Sequence, residues 1–150
     1  MLDPGARILE FLKDIGLVVR IGELGPTFLP GIAIERGGLV LDEARLLYPG
    51  DLLHEAGPLA VLPPVTRAAI DGDAGDDAGY EMAAMAWSYA AALHLNIDPA
   101  VVFHNHGYRG ASQSLLENFA AGRSIGVPLL EWAGLTTISI FPSMNRWLRE

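Results

Sequence analysis

Histidine and glutamate stand side by side at positions 54 and 55, inside the apolar stretch Asp51-Leu52-Leu53-His54-Glu55-Ala56-Gly57-Pro58-Leu59-Ala60-Val61. That pairing can do chemistry. An imidazole is a good ligand for zinc, and a carboxylate beside it can take a proton from a metal-bound water. A helix sharpens the requirement. Positions i and i+4 share a face, so a second histidine four residues on would complete a two-pronged grip. Position 58 is instead proline. Proline offers no ligand atom and has no N–H to meet the carbonyl of His54. In a helix interior it costs on the order of 3 kcal/mol. The Gly57-Pro58 pair is therefore expected to kink or end the helix just after Glu55.

Other donors lie further along the chain. Glu81 is the lone acid of the apolar segment 80–95, YEMAAMAWSYAAALHL. A buried carboxylate needs a partner, and a metal or His54 would serve. In a first helical turn it would also simply face the positive end of the helix dipole. His104 and His106 alternate in an extended segment, so they point the same way. They suit either a replacement ligand pair or a locally hydrogen-bonded turn, and His94 reads as structural. Asp71, Asp73, Asp76 and Asp77 form an acidic loop. A calcium loop needs oxygen donors at alternate positions and a glutamate at the twelfth. Counted from Asp71, the fifth residue is Gly75 and the twelfth is Met82, so a solvated loop is expected. There is no cysteine, which excludes thiolate ligands, disulfides and cysteine nucleophiles. No G-x-S-x-G elbow, P-loop or G-x-G-x-x-G stretch supports a serine hydrolase, an NTPase or a dinucleotide enzyme.

The elements that must hold these residues fit one domain spanning 1–150, and 51% hydrophobic residues supply its core. Residues 5–14 have helical spacing and 16–24 are strand-like. A hairpin is expected with strands over 32–36 and 39–42, turned by Gly37 and Gly38. Asp51 follows a Tyr48-Pro49-Gly50 turn as a helix N-cap, and Pro63-Pro64 stops the helix that it starts. The long apolar helix 80–95 ends at Asn96 and Pro99. Segment 101–104 is a short strand or turn, 112–122 is a helix, and 128–134 and 142–149 are candidate short helices. Helix, strands, then helices make an α+β layout. The net charge of −8, without a basic cluster, argues against nucleic acid. No run of roughly 18 apolar residues is present to span a membrane. Residues 1–12 lack the pattern of a signal peptide, and the absence of cysteine suits a cytoplasmic protein.

The block Gly50-Asp51-Leu52-Leu53-His54-Glu55-Ala56-Gly57 resembles a family of bacterial proteins in which histidine is usual at the next position. More broadly, residues 28–95 resemble the minimal gluzincins, zincin-like peptidases with the H-E-x-x-H motif. Those enzymes place a β-hairpin before the motif helix. After it comes a helix with an E-x-x-A pattern, similar to Glu81-x-x-Ala84 here. The resemblance implies a small antiparallel sheet or hairpin packed on helices. It implies zinc held by His54 and Glu81, Glu55 as general base, and metal-assisted amide hydrolysis of a protein or peptide. With Pro58 in the motif, it implies a metallopeptidase-like protein with a degraded metal site, weakly active or inactive, in which zinc is optional. The alternative is a non-catalytic binding or regulatory module that keeps the scaffold without the metal. Self-association into a homo-oligomer is a third use of so apolar a chain.

Overall fold

The structure is a computed structural model that describes residues 3–75 and 77–150; Met1, Leu2 and Asp76 of the acidic loop lie outside the described residues. Helix α1 spans Pro4–Asp14. The Asp3 carboxylate accepts the N–H of Ala6 at 2.8 Å, and Pro4 opens the first turn, where its missing N–H costs nothing. Ile8, Phe11 and Leu12 form its buried face.

Three short strands follow: β1 (Val19–Ile21), β2 (Ile32–Glu35) and β3 (Gly38–Leu41). β2 and β3 form the expected antiparallel hairpin. Its turn residues are Arg36 and Gly37, both at positive φ (48° and 76°), as a tight hairpin turn requires. Gly38 therefore belongs to β3 rather than to the turn. It is needed there because a Cβ would stand 2.6 Å from the Val18 carbonyl oxygen. The sheet order is β1-β3-β2, and β1 runs parallel to β3. The expectation of a purely antiparallel sheet is thus corrected to a mixed one. After β1 the chain crosses to the far edge before making the hairpin. Asp42 pins this crossover by accepting the N–H groups of Leu24 and Ala44.

Helices α2 (Asp51–Val61), α3 (Pro64–Ala68), α4 (Ala78–His94), α5 (Ser112–Ala120) and α6 (Val127–Trp132) complete the α+β fold. Pro58 does not end α2, which continues for another turn. Pro63-Pro64 stops α2 as expected, but Pro64 also begins α3, a helix that buries no residue. Residues 101–104 are not a strand; a single 3-10 turn covers Pro99–Val101. The segment 142–149 is not helical either. Tertiary bonds hold it instead. Trp87 Nε1 donates to the Trp147 carbonyl at 2.9 Å, and the N–H of Arg149 donates to the carbonyl of Ala60 at 2.9 Å.

The core lies where α2 crosses α4. Leu52, Leu53, Leu59, Trp87 and, on α4, Ala83, Ala84, Ala86 and Ala90–Ala92 are almost wholly buried. At about 25 cal/mol per Å², each large side chain contributes about 2 kcal/mol. Among the described residues, no helix is long and apolar enough to cross a membrane.

Candidate functional site

Helix α2 positions the site, and two glycines set its surroundings. Gly50 caps the helix without a side-chain bond. A Cβ on it would lie 2.1 Å from the Val101 carbonyl oxygen, so only glycine lets the chain at 101–102 press against the start of α2. That approach carries His104 to Asp51. Their Nε2 and Oδ1 atoms are 2.7 Å apart, and Asp51 is 1% exposed. Asp51, expected to cap the helix, is thus its first residue and the partner of a distant histidine. His104 Nδ1 accepts the backbone N–H of His106 at 3.2 Å. This network assigns the ring a hydrogen on Nε2, which donates to the carboxylate.

Gly57 sets the other side. A Cβ there would stand 2.9 Å from the Ala84 carbonyl oxygen and 3.2 Å from Ser88 Oγ. Ser88 Oγ in turn donates to the Leu53 carbonyl at 3.1 Å. Leu53 meets Ser88 and Gly57 meets Ala84, so the helices run antiparallel and closely packed. The turn of α4 abreast of His54 comprises Ala84-Met85-Ala86-Trp87-Ser88, which has no carboxylate.

His54 and Glu55 are both half-buried. The His54 ring lies face to face with Tyr108, centroids 4.1 Å apart and planes 5° from parallel. Its Nδ1 is buried without a hydrogen-bond partner, as is Oδ2 of Asp51. Burial, with the charge of His104 as a lesser cause, pushes the His54 imidazole down to about 4. Burial also pushes the Glu55 carboxyl up to about 7, reinforced by the negative charges of Asp51 and Asp73. Asp51 is raised by the same desolvation, against the hydrogen bond and charge of His104. The Tyr108 phenol is raised too, chiefly by burial and against its bond with Ser88. At neutral pH the site thus holds a neutral imidazole and a carboxyl divided between its two forms.

Glu81 stands apart. It is exposed in the first turn of α4, where it faces the helix dipole, and Asp77 caps that turn by accepting the N–H of Tyr80 at 3.0 Å. In the antiparallel packing it lies beside the last turn of α2, not beside His54. Arg149 marks this register, reaching both the Val61 carbonyl and the Tyr80 hydroxyl at 3.3 Å. His106 is exposed and stacks on Tyr48, and Tyr48 also stacks on His104 at 4.1 Å. His94 is exposed at the other end of α4, against Phe11 and Trp147. A surface cleft of about 400 Å³ adjoins His94, lined also by Leu93, Pro142, Ser143, Met144 and Trp147, away from the His54 face.

A catalytic zinc site needs three protein ligands and an open position. Pro58 supplies none, and Glu81 sits abreast of the wrong turn. Among the described residues no three His, Asp or Glu side chains converge on a metal-sized space. The donor set here does not fit a catalytic zinc ion. The structure instead gathers Asp51, His54, Glu55, Ser88, His104 and Tyr108. Of these, Asp51 had a readable signal, since it shares the face of His54 and Glu55 at i+3 and i+4. Ser88 and Tyr108 reach the site only through tertiary packing. Comparison with protein-family profiles, curated proteins and solved structures gives no match for this chain.

Proposed function

We propose that this chain is a metallopeptidase-like domain with a degraded metal site, and that it binds a protein or peptide rather than hydrolysing it with zinc. One observation carries this reading. At the turn after His54, where the second metal-gripping histidine would stand, the helix continues through Pro58. The facing turn of α4 offers no carboxylate in compensation. What remains of the peptidase arrangement is the His54–Glu55 pair on a helix behind a β-hairpin. A neutral imidazole and a half-ionised carboxyl make a site of low charge that hydrogen-bonds in both directions. That suits the amide groups of a peptide.

The test is thermal unfolding with and without zinc. A ligand that binds only the folded state must raise its melting temperature. Zinc is expected to leave the protein unmoved and to raise Tm by several degrees in Pro58→His. An equal rise in both proteins would contradict the proposal.

A second reading is favoured by Glu55 alone. A carboxyl at about 7 is suited to general-base work near neutral pH, where the product of ionised fraction and basicity is greatest. Slow, chelator-resistant peptide hydrolysis that disappears in Glu55→Gln would support it. Turnover unchanged in that variant would discard it.

A further inference from the structure

The chain after α4 comes back over α2, and the way it is held is unusual. His104 bonds Asp51 at 2.7 Å. Tyr48 stacks on His104 at 4.1 Å. Tyr108 lies between the His54 ring at 4.1 Å and the Phe103 ring at 5.0 Å. Every one of these is a side-chain contact. The backbone hydrogen bonds of 104–111 are local: Gly107 to His104, Gly110 to Gly107, Ala111 to Tyr108. Among the described residues, none joins this segment to the backbone of α2 or α4. Its conformation is also costly. Tyr108 sits at φ 49°, a region that side chains with a Cβ seldom occupy, and Gly110 follows at φ 83°.

We infer that residues 104–110 form a latched strap, with Tyr108 as a removable cover on the His54–Glu55 face and the Asp51–His104 bond as its latch. Two opposing sets of forces make the element bistable. Stacking, ring burial and the latch favour the closed form. The closed form also leaves Asp51 Oδ2 and His54 Nδ1 buried without partners, and opening would hydrate both. Opening would relieve the Tyr108 backbone as well, and no ladder of backbone bonds has to break. An open strap presents His54, Asp51 and Glu55 together to a ligand. The inference rests on the proposal that this face is the binding site, but its test needs neither ligand nor metal.

That test is acylation of the full chain by diethyl pyrocarbonate, read residue by residue by peptide mass mapping. His94, exposed and remote, serves as the internal reference. His54 is expected to react slowly in the native protein. In His104→Phe, which keeps the stack on Tyr48 but has no N–H to donate to Asp51, it should react about tenfold faster, the shift in opening that loss of one charge-assisted hydrogen bond produces. The increase should be smaller in Tyr108→Phe, which keeps the covering ring and loses only the bond with Ser88. An unchanged His54 rate in a His104→Phe protein of native far-UV circular dichroism would overturn the strap. Should that variant fail to fold, amide exchange on the native protein decides. Residues 107–111 should exchange through a local opening, well before the core amides of α2 and α4. Exchange of that segment only with global unfolding would overturn the inference. Failure here is separable from failure of the peptidase-like reading, which the zinc response of Pro58→His judges alone.

Discussion

At the scale of the residue, burial works on His54 and Glu55 in opposite directions, and the consequences for pH follow. Glu55 is lifted from 4.5 to about 7, so between those values the folded chain holds a proton that the unfolded chain has lost. Stability from this group falls as pH rises through that window, by on the order of 3 kcal/mol at most. His54 is lowered from 6.5 to about 4, so there the unfolded chain holds the extra proton. Stability from this group falls as pH drops through that window. The two slopes nearly cancel between pH 4.5 and 6.5 in the native protein. Glu55→Gln should remove one slope. Its denaturant midpoint should decline steadily below pH 6.5 and exceed that of the native protein at pH 8. Parallel profiles for the two proteins would contradict these charge states. The pair itself was legible from sequence, because adjacent His and Glu in an apolar helix is a local pattern. Of the partners, His104 was legible only as half of a histidine pair, and Tyr108 not at all. His104 and Tyr108 lie some fifty residues further on and are brought in by close packing at Gly50, which no local pattern announces.

At the scale of the element, the site depends on how closely α4 approaches α2. Gly57→Ala would place a methyl group 2.9 Å from the Ala84 carbonyl oxygen, a backbone atom with little room to give. Overpacking of this kind costs about 1–3 kcal/mol. The variant should melt several degrees lower and lose the Ser88–Leu53 bond. A Tm within a degree of native would mean that the two helices are less tightly joined than described. Pro58→Ala should act in the other direction. It restores a backbone N–H for the His54 carbonyl and removes a crowding ring, for a gain of up to about 3 kcal/mol. The sequence marked the helices well where apolar periodicity was strong, as in α1, α2 and α4. It mis-set the sheet, because the parallel place of β1 depends on a crossover pinned by Asp42. It also made a helix of 142–149, whose apolar residues serve instead to plug the core. Nor did proline break α2. The loss of one bond and a crowded ring is outweighed when Leu59, Ala60 and Val61 beyond it are fully buried.

At the scale of the whole molecule, the C-terminal segment closes the α2–α4 core. The Trp147 carbonyl takes the Trp87 indole, its ring packs edge-on against Phe11 and Trp87, and Arg149 ties down the end of α2. Trp147→Ala should cost about 3 kcal/mol and lower Tm accordingly. The proposal that the His54–Glu55 face receives a peptide rests on the neighbours that the fold brings to it, Asp51, Ser88, His104 and Tyr108. Whether that face descends from a metal centre is decided most directly by zinc content per chain, measured by elemental mass spectrometry on the native protein and on Pro58→His prepared side by side. A degraded site predicts little zinc in the native protein and a clear gain in the variant. Equal, near-stoichiometric zinc in both would show that another residue completes the site, and equal absence from both would remove the zincin relationship from the explanation of His54 and Glu55.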